Sequence, residues 1–182
     1  KPPIGTGNII GFYAEKKNSL DIVYIGGSAN FVYWMPLEAW DKYGFTSYNF
    51  SSDTMQAETI KYSIKEVLKT QTPKLIVIDA RAFQYRDFEQ PPSEVAIRNF
   101  SDQFLYSLNR AQLIEDAVGN KLDENTFAYH FDLIKYHSRW STITFQEILW
   151  GINDNKIKNE NKGFYYIYDY KYLKKPEVIE TN

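Results

Sequence analysis

Ser28 follows Gly26 and Gly27 at the end of a short apolar run, Asp21-Ile-Val-Tyr-Ile25. A serine in such a strand-to-helix turn can act as a nucleophile, its own N–H helping to receive the oxyanion that forms on an attacked acyl carbonyl. Glycines before it let the chain turn tightly and leave amide N–H groups facing a bound group. The plainer alternative is a serine that caps the next helix or closes the turn, and spacing alone favours it. Two further polar clusters end later apolar runs, Ser51-Ser52-Asp53 and Asp79-Ala80-Arg81. Arg81 can donate to an oxyanion or hold a carboxylate or phosphate, against the simpler role of a salt bridge with Asp79 or Glu89. The two histidines, His130 and His137, are seven residues apart. That is about two helical turns, too far for the i, i+4 pairing of a shared metal. A structural role is the default for each; if the chain is complete, His137, beside Arg139 and Trp140, is the better candidate for a base. No metal and no cofactor are expected, and an absence of cysteine removes thiolate sites and disulfides alike.

These residues need elements to hold them. Asp21–Ile25, Thr46–Phe50 and Lys74–Asp79 read as strands, the third almost continuously apolar. Trp34 to Tyr43 reads as a short helix with Pro36 in its first turn and Gly44 as its stop. A second helix is expected over 54–70, capped by Ser52 or Asp53, with Ile60, Ile64, Val67 and Leu68 on one face. Apolar strands alternating with helices imply a parallel sheet covered on both faces. In such sheets ligands bind beyond the carboxyl ends of the strands, where all three polar clusters would converge. That convergence, more than any single motif, is the basis for a site containing Gly27, Ser28, Ser52, Asp79 and Arg81.

Around this core, residues 1–19 read as an extended arm and 81–92 as a polar, aromatic loop. Helical periodicity is expected over 94–108, 110–118, 125–139 and 145–150, and the Tyr-rich run 163–170 reads as an edge strand. The whole is taken as one domain: a parallel β/α core over 8–82, a helical insert over 93–151 and a polar tail over 152–182.

Composition sets outer limits. The chain has 182 residues, 43% hydrophobic and 24% charged, with a net charge of -2. That length and apolar share suit one domain with a real core. Near-neutral charge with scattered basic residues argues against a nucleic-acid partner. No apolar stretch reaches the roughly 18 residues a membrane helix needs. With 15 Tyr, 12 Phe and 4 Trp the chain is rich in rings. Such rings suit half-wet carbohydrate or interface surfaces, and they are also ordinary packing material.

The run Asp21-Ile-Val-Tyr-Ile-Gly-Gly-Ser-Ala-Asn30 resembles the first block of the SGNH/GDSL hydrolase superfamily, which places its nucleophilic serine just after the first strand. The order that follows is also similar: a helix, Tyr43-Gly-Phe-Thr-Ser-Tyr-Asn-Phe50, a helix, then Pro73-Lys-Leu-Ile-Val-Ile-Asp79. Tyr136-His-Ser-Arg-Trp140 looks like a segment of the helical insert in bacterial envelope-associated members, including the group near the D-alanyl-lipoteichoic acid proteins. The resemblance spans roughly residues 8–150. It implies a three-layer α/β/α, flavodoxin-like fold and a serine-dependent ester hydrolase or O-acyltransferase. The implied substrate is an acylated cell-envelope glycan or a small ester, met outside the cytoplasm, with any anchor upstream.

Ser52 stands where that family's second block supplies an oxyanion N–H. The Gly-x-Asn-Asp block has no match after Ile78, where Asp79 and Arg81 stand instead, and the C-terminal Asp-x-x-His pair is not found. The expectation is therefore an N-terminal fragment whose catalytic pair lies downstream. The alternative is a non-catalytic carbohydrate or protein interaction module on a degenerate SGNH scaffold. A phosphate or nucleotide binder built on Gly26-Gly27-Ser28 ranks last, since neither the dinucleotide nor the P-loop fingerprint is present.

Overall fold

Three short apolar runs become parallel strands: β1 (Ile22–Gly26), β2 (Ser47–Ser51) and β3 (Leu75–Ile78), ordered β2-β1-β3. The computed structural model describes residues 7–84, 93–118, 128–130 and 158–165. Among their α-helices are α1 (Asn8–Phe12), α2 (Ser28–Tyr33), α3 (Pro36–Tyr43), α4 (Ala57–Leu68), α5 (Arg81–Gln84), α6 (Glu94–Ser101) and α7 (Leu108–Val118), and 128–130 are helical as well. The result is the expected mixed α/β architecture, an all-parallel sheet between helical layers. None of the described helices is long and apolar enough to cross a membrane. The expected helices at 125–139 and 145–150 and the expected Tyr-rich strand lie largely or wholly outside the described residues.

Strand alternation assigns the two faces. Val23, Ile25, Tyr48 and Phe50 point into the main core with Ile9, Phe12, Ile60 and Val67, all well buried. Phe12 meets Tyr48 and Phe50 edge-on, at centroid distances of 5.3 and 5.0 Å. Each such ring pair contributes about 0.5–1.5 kcal/mol beyond its buried area. On the other face Tyr24 stacks on Trp34 at 4.5 Å, Trp34 Nε1 donates to Ser47 Oγ at 3.0 Å, and Asn49 Nδ2 donates to the Trp34 carbonyl at 2.9 Å. β2 alternates aromatic and small polar residues because its two faces meet such different neighbours. The segment expected as a helical insert supplies Phe100, Phe104 and Leu113 to the main core. Buried Arg110 of α7 ties its parts together, donating to the carbonyls of Ser101, Tyr129 and His130.

Several local expectations are corrected. The supposed extended arm contains α1, entered through Gly7 at φ 105°, with Ile9 and Phe12 fully buried. α4 starts at Ala57 and not near residue 54, because Thr54 takes a left-handed conformation (φ 52°) and Gln56, not Ser52 or Asp53, occupies the capping position. Leu68, expected on the apolar face of α4, ends the helix and is 53% exposed. The 81–92 loop opens with the short α5. Gly44, as expected, ends α3 in the left-handed region at φ 73°.

The two sheet edges differ. Asn49 N–H of β2 donates to the Lys162 carbonyl at 2.9 Å, so the turn 158–165 closes that side. β3 has no backbone partner on its outer side among the described residues.

Candidate functional site

In a sheet ordered β2-β1-β3 the chain leaves β1 to opposite sides, and the crevice between the carboxyl ends of β1 and β3 is the switch point where such folds bind ligands. A cleft of about 170 Å³ opens there, lined by Gly27, Ser28, Thr54, Met55, Asp79 and Arg81. Ser28 is the first residue of α2 and is exposed. Its hydroxyl thus borders the cleft and is not packed in apolar matter. Ser28 does not cap a helix starting near Trp34, because α2 begins at Ser28 itself.

The two glycines before it do different things. A Cβ on Gly26 would collide with the Asn30 amide and come within 2.8 Å of Asp79 Cβ. Only glycine lets α2 fold back this closely over the end of β1. Gly27 is extended (φ -88°, ψ -162°), and a Cβ there would meet nothing nearer than Met55 N at 3.6 Å. The Gly27 N–H adds the smallest of the effects that favour the ionised Asp79 carboxylate.

Asp79 is the anchor of the site. Its carboxylate accepts the Arg81 N–H at 3.0 Å and is gripped by the guanidinium, with Nε at 3.0 Å from Oδ1 and Nη2 at 2.6 Å from Oδ2. These Arg81 hydrogen bonds hold the Asp79 carboxyl below its ordinary range, against the opposing effect of burial. The plainer role foreseen for Arg81, pairing with Asp79, is therefore present. The pairing also fixes the guanidinium plane at the cleft wall. Arg81 reaches a neighbouring cleft of about 280 Å³ formed with Tyr24, Asn30, Tyr33 and Trp34.

Ser52 does not fill the role expected of it. Its N–H donates to the Gly26 carbonyl at 3.3 Å, and its buried hydroxyl accepts from Gln103 Nε2 at 2.8 Å. The N–H is committed to the sheet, so it is not an oxyanion donor. His137 lies outside the described residues. His130 does not line the cleft; its carbonyl accepts Arg110 Nη1 on the α6–α7 side. Among the described residues no cluster of three or more His, Asp or Glu is arranged to hold a metal.

Sequence reasoning missed what α6 does. Asn99 Nδ2 donates to the Asp53 carbonyl at 3.2 Å and to Thr54 Oγ1 at 3.1 Å, while Gln103 reaches Ser52. Asn99 in the last turn of α6 and Gln103 in the turn just beyond it together hold the loop after β2. Their i, i+4 spacing within an otherwise apolar stripe was the available signal. They steady Thr54 in a conformation uncommon for a β-branched residue, beside a cleft where such outliers tend to gather. Partial burial pushes the neighbouring Asp53 carboxyl up.

Fold and site together define a parallel α/β domain with a serine at its switch point. No protein-family model, curated protein or solved structure matches the chain.

Proposed function

We propose that this is an SGNH-like serine ester hydrolase or O-acyltransferase acting outside the cytoplasm on an acylated envelope glycan or a small ester. The observation that carries the reading is the exposed Ser28 at the β1/β3 switch point, in a cleft walled by the Asp79–Arg81 pair. Ser28 Oγ attacks the acyl carbonyl and its proton passes to a base. The alkoxide leaves, and water or a sugar hydroxyl then takes the acyl group from Ser28. Ser28 N–H opens α2 and has no acceptor within that helix, which suits it to the oxyanion. Arg81 orients an anionic or carbonyl oxygen at the cleft wall. Of the chain's two histidines, His137 is the candidate for that base only if the chain is complete.

A fluorophosphonate probe tests this directly. The expected outcome is covalent labelling at Ser28, located by peptide mass spectrometry and lost in Ser28→Ala. A folded wild-type protein that takes no label overturns the reading. That outcome would favour the second reading, a non-catalytic glycan or protein interaction module. The engaged Ser52 N–H and the lack of an imidazole among the described cleft residues point the same way.

A further inference from the structure

At the opposite end of the strands lies a larger cleft, about 410 Å³, between the chain entering β1, the start of α3 and the turn 158–165. Leu20, Leu37 and Trp40 give it an apolar wall, and Trp40 is 52% exposed. Glu15 and Lys162 also line it and pair through Glu15 Oε2 and Lys162 Nζ at 2.6 Å. The Glu15 side chain is only 4% exposed and its Oε1 accepts no hydrogen bond among the described residues, whereas the Lys162 side chain keeps 24% of its surface open.

Burying a carboxylate costs free energy that one ion pair seldom returns, so such a pair contributes little net stability. It does fix the ammonium. A lysine ammonium carries three donors, and Glu15 takes one of them. Lys16 and Lys158, both exposed, line the same cleft. Among the described residues, three ammonium groups against one carboxylate leave the lining net positive beside an apolar wall.

We propose that this cleft binds a small amphiphilic carboxylate, its head on Lys162 and its apolar body against Leu37 and Trp40. The volume is in the range of small-molecule sites, which are apolar with a few placed polar groups. Glu15 is a positioning residue, holding the ammonium by its Oε2 contact while the other lysines raise the local anion concentration. The inference is independent of Ser28, and failure of either reading leaves the other standing.

Calorimetric titration with octanoate, octanol and acetate separates the contributions. Octanoate is expected to bind saturably, while octanol, lacking the charge, and acetate, lacking the body, each bind at least about tenfold more weakly. Trp40→Ala, at an exposed position, is expected to weaken octanoate at least about fivefold. The double variant Glu15→Gln/Lys162→Met removes both charges together, avoiding a stranded carboxylate, and is expected to lose the preference for octanoate over octanol. Octanoate that fails to saturate by about 10 mM, or that binds the double variant as it binds wild type, overturns the proposal and leaves the Glu15–Lys162 pair as a tie between the turn after α1 and the 158–165 turn.

Discussion

At the scale of single residues, the turn between β1 and α2 separates necessity from habit. Both glycines look alike in sequence, yet only Gly26 is forced, by the Asn30 amide and Asp79 Cβ lying over it. Gly26→Ala is expected to destabilise the fold by about 1–3 kcal/mol, the usual range for overpacking, and to displace Asp79. Gly27→Ala should change stability by less than about 1 kcal/mol and leave probe labelling of Ser28 intact. Urea unfolding of the two variants, with labelling run in parallel, checks the contrast. The residue types of the site were legible because polar clusters ended each apolar run. The destinations of individual N–H groups were not. Ser52 was expected to offer its N–H to a ligand, but the register of β1 and β2 delivers that group to the Gly26 carbonyl. A one-residue difference in where a strand stops decides such a question, and neither composition nor spacing resolves it.

At the scale of elements, Asp21 knots the amino ends of all three strands. Its carboxylate accepts the Thr46 N–H at 2.9 Å and the Thr46 hydroxyl at 2.9 Å, and pairs with Lys74 Nζ at 2.7 Å. Its carbonyl receives the Lys74 and Leu75 N–H groups. The Lys74 hydrogen bond first, then those from Thr46, hold the Asp21 carboxyl down to about 2. An unfolded aspartate titrates near 3.9. Since the folded value is the lower one, ionised Asp21 favours folding, fully above about pH 5, and the contribution fades as pH falls towards 2. The gap in urea midpoint between wild type and Asp21→Asn should therefore be widest near neutrality and close by about pH 2. A gap that persists unchanged at pH 2 would assign the effect to shape and not to charge. Strands and α3 were readable because continuous apolar runs, Pro36 and Gly44 are strong local signals. α1 was not: Asn8-Ile-Ile-Gly-Phe12 is too short for a helical period, and its stability comes from burying Ile9 and Phe12 against β2. The start of α4 was misplaced for a related reason, since Asn99, 45 residues beyond Thr54 in the chain, bonds the Thr54 hydroxyl of the turn before that helix.

At the scale of the whole molecule, the two sides of the sheet differ: among the described residues β2 bonds the 158–165 turn and β3 has no outer backbone partner. Leu75 and Asp79 direct their N–H groups at the carbonyls of Asp21 and Ile25. By the two-residue alternation of a parallel ladder, Ile76 and Ile78 aim theirs outward. In amide exchange followed by NMR, Ile76 and Ile78 are expected to exchange about a hundredfold or more faster than Val77. Slow exchange at Ile78 would mean that another segment or another molecule occupies that side. Leu75, half exposed, adds apolar surface along the same line.

With β2 joined to the 158–165 turn at Asn49, the margin of β3 is the side left unpaired among the described residues. Asp79 and Arg81 stand where β3 gives out, so whatever is laid along that margin also becomes a wall beside Ser28. A segment paired along β3 and a further wall for the nucleophile's surroundings would thus be one and the same addition.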